Sequence, residues 1–378
     1  MFNNMTHKNN HRGLPDKSKT QTPAEEYQEY MLPLVSHTFA LTIPQLPYPL
    51  RTVVANAYLL ARTADTLEDR PEWSVERKQH YVKAFLEVVM SQRSPEDFLA
   101  EVIPLLPEQM PLHERDLIQH LPLVLTLTHS FNDTQRQAIE RCIRIMTYGM
   151  AGFQHKVSIQ GLKTMSDLDS YCYYVAGVVG EMLTTLFCDH SPEIAGRREA
   201  LEGLAASFGQ SLQLTNILKD QREDRENGVC WLPCDLFAQY GIDLSTLQPD
   251  VRNSGYQSAL SELIAITHAH LRNALRYILL IPSSEPGIRR FCFWTVNLAG
   301  LTLRNIYRKP YFADTAEIRV PSRRLKRMLA LSYLGCRSNL LLTTMFNFST
   351  KELPLAKMAV ALLVFLSFQI SGFFGLNI

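Results

Sequence analysis

Apolar residues recur every three or four positions over most of this chain. Leu50, Val53, Val54, Ala57, Tyr58, Ala61 and Ala64 form one such stripe. Leu201, Leu204, Ala205, Phe208, Leu212 and Thr215 form another, and residues 260–280 and 325–346 continue the pattern. That spacing predicts amphipathic helices. Strict alternation is rare, and the one Asn-Gly pair, Asn227-Gly228, does not join two strand-like runs. The prediction is an all-α fold. Pro104, Pro107 and Pro111 mark a loop, Pro122 breaks or begins the next helix, and Pro282 to Gly287 marks a further turn. None of these changes composition enough to divide the middle, so residues 23–350 read as one large helical domain.

The ends depart from this pattern. Residues 1–22 are polar, basic and nearly free of large apolar groups, with no apolar run of a secretory signal behind them. They read as a disordered tail. Residues 351–378 form a hydrophobic C-terminal segment, and Met358 to Ile378 carry no charge at all. As a helix, that stretch covers roughly 30 Å, the hydrocarbon thickness of a bilayer. Its apolar character runs all round, which points to a membrane anchor, although Ser367, Gln369 and Ser371 also suit a last buried helix. Arg319, Arg323, Arg324, Lys326 and Arg327 lie upstream, either as the cytoplasmic flank of an anchor or as a solvated helix face. The expected location is cytoplasmic, on a membrane.

Composition narrows the classes. With 378 residues, 46% hydrophobic and 20% charged, the chain is no disordered polymer. A net charge of +1 argues against a dedicated nucleic-acid binder. Seven cysteines are odd in number and scattered, as expected of reduced thiols. Cys230 and Cys234 have no second Cys/His pair nearby at zinc spacing.

Two acidic segments carry candidate chemistry. In YLLARTADTLEDR, Asp65 and Asp69 lie four apart, so both carboxylates share a helix face, with Glu68 close by. Tyr58 and Arg62 extend that stripe upstream. In QLTNILKDQREDRENG, Asp220 and Asp224 are again four apart, with Glu223 beside them and Asn216 and Gln213 one and two turns back. Like charges on one face cost a few tenths of a kcal/mol per pair, which a cation offsets. Hard oxygen donors suit Mg²⁺, which keeps waters and bridges carboxylates to substrate phosphates. A lone pair of this spacing reads as a solvated face. Here both pairs continue apolar stripes, where unpaired carboxylates are costly. Two such faces opposed across a bundle would hold a diphosphate between metals. A di-iron carboxylate bundle would need Glu-x-x-His on two helices, and no such pair is found.

Three stretches, VSHTFALTIPQLPYPLRTVVANAYLLARTADTLED, YCYYVAGVVGEMLTTLF and LQLTNILKDQREDRENGVCWLP, resemble the squalene/phytoene synthases in order and spacing over roughly residues 25–345. RRFCFWTVNLAGLTLRNIY is more similar to squalene synthases, bacterial ones in particular. The resemblance implies an isoprenoid synthase fold around a central apolar cavity. It implies head-to-head condensation of two farnesyl diphosphates, with Mg²⁺ holding the diphosphates. One substrate ionises, the other's double bond attacks, and proton loss closes the cyclopropane of presqualene diphosphate. A second ionisation and hydride from NADPH give squalene. By the same resemblance Asp65, Asp69, Asp220 and Asp224 match metal-binding carboxylates, Tyr171 a tyrosine of the first half-reaction, and Arg62 an arginine on diphosphate. Ser36 and Thr38 match hydroxyls near a diphosphate. Phe291 is expected on the substrate pocket wall. Ala176, Gly177 and Gly180 permit close helix approach or a kink.

Two positions depart from the family pattern. His37 and Val229 stand where arginines are common, and Arg225 is a candidate replacement for the second. The rival within the family releases presqualene diphosphate, dehydrosqualene or phytoene without reduction. A non-enzymatic relative would lack the aspartates, and a class I terpene cyclase does not suit the YCYYVAG stretch.

Overall fold

The structure is a computed structural model that describes residues 21–36, 38–70, 72–154, 156, 158–247 and 252–356. The polar tail at 1–20, His37 and the apolar segment from 357 onward lie outside the described residues.

The longer helices used below are α1 (Pro23–Val35), α2 (Leu50–Glu68), α3 (Leu112–Gln119), α4 (Asp133–Phe153), α5 (Met165–His190), α6 (Arg198–Glu226), α7 (Ser254–Leu280), α8 (Pro286–Arg308), α9 (Ser322–Gly335) and α10 (Asn339–Ser349). No strand occurs among the described residues; Ser158–Cys230 and Leu162–Pro233 pair as isolated bridges. The all-α expectation holds. Pro122 begins its helix rather than breaking one, sitting in the first turn of Leu121–Ser130, where its missing N–H is not needed.

One periodic run proves to be two helices. The stripe over 325–346 is interrupted at Gly335, and Ser338 starts α10 by accepting the Leu341 N–H at 3.3 Å. The apolar spacing carries on across the turn, so the sequence pattern did not mark the break.

α6 lies at the centre, against α5, α7 and α8. Its crossing with α5 is unusually close. A Cβ on Gly209 would sit 1.9 Å from the Ala176 carbonyl oxygen, and one on Gly180 would sit 2.0 Å from that of Ala205. Only hydrogen fits at both places. Within α5, Tyr173–Gly177 winds as a π turn, the kink anticipated in the YVAG stretch. α5 is long and apolar enough to cross a membrane by length and composition, yet it packs inside the bundle between α4 and α6. Its apolar character therefore belongs to the core.

Candidate active site

α2, α4, α5, α6 and α8 enclose a cavity of about 670 Å³. Its deep wall is apolar, with Met146 and Met150 from α4, Met182 and Leu183 from α5, Phe208 from α6 and Phe291 from α8. Its mouth is acidic. Tyr58, Arg62, Asp65, Glu68 and Asp69 all border it from α2, and Gln213, Asn216 and Asp224 border it from α6. The two motifs, far apart in sequence, thus meet across one opening.

Helix ends set the electrostatics of that opening. α2 stops at Glu68, with the Asp69 N–H closing on the Asp65 carbonyl at 2.8 Å. α6 stops at Glu226, two residues past Asp224. Both acidic groups therefore sit at the negative ends of helix dipoles, which add to their own repulsion and favour a cation. Burial first, and then the neighbouring Asp69, push Asp65 up to about 7, against a partial opposing pull from Arg62. Burial, then Asp220, Glu223 and Asp69, push Asp224 up to about 6. Burial and Asp69 raise Glu68, whose Oε1 accepts from Gln154 Nε2 at 3.3 Å.

Among the described residues no three carboxylate, imidazole or thiol side chains come together to enclose an ion. That arrangement does not suit a protein-only cage. It does suit Mg²⁺, which takes one or two carboxylates and completes its shell with water and substrate phosphate. Asp65 and Asp69 on one side and Asp224 on the other are placed to act in this way.

Tyr171 borders the same cavity from α5. Its ring stacks on Trp231, with centroids 3.9 Å apart and planes 14° from parallel, and meets Phe153 edge-on at 5.4 Å. Burial, with the Glu68 carboxylate next, raises its phenol well above the usual range. Tyr171 therefore keeps its proton beside the acidic mouth. Tyr58 donates to the Val35 carbonyl at 3.0 Å and packs its ring against Phe39 at 5.1 Å.

Several expected residues lie elsewhere. Asp220 is off the cavity wall, paired with Lys219 Nζ at 3.1 Å, and Glu223 is exposed to solvent. Arg225 turns to a separate small cavity lined by Tyr256 and Tyr311, donating to the carbonyls of Leu244 and, at 3.2 Å, Leu247. It does not stand in for an arginine at Val229, which itself borders the main cavity. Ser36 is buried and accepts the Phe39 N–H at 3.0 Å, so its hydroxyl starts a turn. Thr38 is exposed on that turn and off the cavity wall.

Three contributors were missed. Trp231 lay inside a motif stretch without a role. Lys78, on Val75–Val89, adds a cation to the mouth. Glu114, on α3, accepts from Arg62 Nη2 at 2.7 Å and from Arg70 Nη2 at 2.8 Å. Nothing in local sequence spacing signals that contact, since Glu114 and Arg62 are 52 positions apart.

Known proteins of this build can now be compared. The family model described as squalene/phytoene synthase matches residues 32–326. The chain belongs to that family. It is 27% identical to squalene synthase R6 of a Phoma species over 308 residues, 78% of this chain and 68% of that protein. It is 29% identical to squalene synthase 1 of Arabidopsis thaliana over 285 residues, 73% of this chain and 64% of that protein. These alignments span about two thirds of the relatives' length. Among solved structures, TcSQS with the ligand BPH1237 matches at a TM-score of 0.69 and 21% identity, covering 93% of this chain and 98% of that one. A ligand-bound dehydrosqualene synthase matches at 0.55 and 22%, covering 83% and 97%. Both share the all-α isoprenoid synthase fold with this member of the family.

Proposed function

We propose that this protein is a squalene synthase. It condenses two farnesyl diphosphates head to head into presqualene diphosphate and then reduces that intermediate to squalene with NADPH. The observation that carries the reading is the cavity: an apolar interior behind a mouth where two acidic helix ends face each other. The curated relatives, named as squalene synthases, support farnesyl-diphosphate farnesyltransferase activity. The bacterial character of residues 289–307 rests on sequence pattern alone, and the two relatives above are fungal and plant proteins.

The residues divide the work. Asp65, Asp69 and Asp224 would hold Mg²⁺, with Glu68, Asp220 and Glu223 at the margins of that set. Bound Mg²⁺ would neutralise the departing diphosphate. Arg62 donates to the same diphosphate. Gln213 and Asn216 offer neutral polar contacts on the α6 side. Phe208, Phe291 and the methionines exclude water from the cationic carbon, which water would otherwise quench. Tyr171 keeps its proton, so the proton lost on cyclopropane closure goes to a diphosphate oxygen, with the Tyr171 hydroxyl hydrogen-bonding that oxygen. Ser36 and Thr38 act in this reading through the turn they build, and Arg225 through the loop it pins.

Membrane attachment is part of the proposal. Next to the turn between them, α9 exposes Leu334 (82%) and α10 exposes Leu340 (76%), and α9 also exposes Arg323, Lys326 and Arg327. A surface of that kind suits an anionic bilayer, where a hydrocarbon product would also leave. Deleting residues 357–378 should move the enzyme to the soluble fraction with its chemistry intact; unchanged recovery with membranes refutes an anchor there.

The second reading is an enzyme of this family that omits reduction. Incubation with farnesyl diphosphate and Mg²⁺, with and without NADPH, separates the two by product mass. Squalene with NADPH and presqualene diphosphate without it are expected. A product unchanged by NADPH overturns the reductive step.

A further inference from the structure

Glu114 lies outside both acidic motifs and off the cavity wall, yet it reaches the mouth through an arginine. Its Oε1 accepts from Arg62 Nη2 at 2.7 Å and its Oε2 from Arg70 Nη2 at 2.8 Å. The two arginines flank the first motif, one turn before Asp65 and one residue after Asp69. Arg70 is 8% exposed and fixed a second time, its Nε donating to the Thr66 carbonyl at 2.7 Å. Only Arg62 of the pair borders the cavity. Its Nε is buried and has no hydrogen-bond partner among the described residues. The contacts form a line: backbone, Arg70, Glu114, Arg62, cavity.

We propose that Glu114 is a positioning residue that aims the Arg62 guanidinium at the diphosphate, with Arg70 as its fixed support. The inference rests on the diphosphate reading of the mouth. A free arginine must lose side-chain entropy to be held in one place. Glu114 takes up one donor of Arg62 in advance and orients the planar fork, so the remaining donors are set before substrate arrives. Without the carboxylate, the two guanidiniums that now share it would repel each other.

This differs in sign from simple charge balance. If Glu114 only cancels positive charge, removing it makes the mouth more attractive to an anion. If it positions Arg62, removing it weakens anion binding. The test is Mg²⁺-dependent pyrophosphate binding by calorimetry, with steady-state kinetics on farnesyl diphosphate, for wild type, Glu114→Gln, Arg62→Met and the double variant. Glu114→Gln should weaken pyrophosphate binding by about 10- to 100-fold and lower kcat/KM to match. In the Arg62→Met background it should add nothing. Arg70→Lys, which leaves Arg62 and Glu114 in place, should show a smaller loss in the same direction. Tighter or unchanged pyrophosphate binding in Glu114→Gln overturns the inference, as do fully additive losses. A wild type that binds pyrophosphate while Glu114→Gln binds it equally well overturns this inference alone. A wild type that ignores pyrophosphate overturns the diphosphate reading and this inference with it.

Discussion

The two acidic helix ends share one spacing and differ in what surrounds it. On α2, Arg62, Asp65, Glu68 and Asp69 all face the cavity, with Arg62 tied to Glu114 and Glu68 to Gln154. On α6, Asp224 faces the cavity, while Asp220 pairs with Lys219, Glu223 meets solvent and Arg225 holds a loop elsewhere. The same motif is thus set in advance at one end and loosely arranged at the other. The difference lies in tertiary partners, since α2 has α3 and α4 packed behind its last turns while the end of α6 leads into an exposed turn. In the proposed mechanism the first motif is the more firmly held jaw.

The largest expected effect separates the jaws. Asp65→Asn should lower turnover by about 1,000-fold, as expected for loss of a preorganised charged group. Asp224→Asn should cost nearly as much, Asp220→Asn clearly less, and Glu223→Gln about twofold at most. Equal losses at Asp65 and Glu223, measured as kcat/KM, would erase the distinction. Next comes the crossing that sets the distance between α5 and α6. Gly209→Ala places a methyl inside the Ala176 carbonyl and should destabilise the fold by about 3 kcal/mol in urea titration. A fully stable Gly209→Ala would show that the approach is not tight.

The pH dependence ranks lower and has a definite sign. Asp65 rises from 3.8 to about 7 in the folded protein, so the folded state holds the extra proton between those values. Folded stability is therefore lost as pH rises through that window. Wild-type protein without metal should become less stable than Asp65→Asn by about 2 kcal/mol as pH goes from 4 to 8, allowing for the group's partial access to solvent. Thermal melts of the two proteins across pH check it, and a constant difference would remove the raised carboxyl from the account. A smaller effect than the loss of Asp65 concerns the stack of Tyr171, on α5, against Trp231, just beyond α6. Trp231→Ala should slow the first half-reaction by about tenfold through a misplaced Tyr171, visible as slower pyrophosphate release.

Much of this was legible in the sequence. The helical period gave the fold class, and the stripe from Tyr58 to Asp69 predicted a shared face because helix geometry alone places those residues together. That geometry does not separate the members of each motif. Glu223 precedes Asp224 as Glu68 precedes Asp69, yet Glu68 borders the cavity and Glu223 meets solvent. The turn between α9 and α10 was hidden because apolar spacing continues across it. Glu114 was hidden for another reason: it reaches Arg62 only through the packing of α3 beside α2, which no local pattern encodes. Ser36 and Thr38 illustrate a third limit, since a hydroxyl that builds a turn looks the same in sequence as one that binds substrate.

The central claim is that both jaws close on one diphosphate site. A crystal structure with farnesyl thiodiphosphate and Mn²⁺ tests it most directly. The account predicts anomalous peaks bound to Asp65 and Asp69 on one side and Asp224 on the other, with the prenyl chain running inward to Phe291. Metal found only on Asp220 and Glu223 at the surface, or a prenyl chain lying outside the cavity, would contradict it.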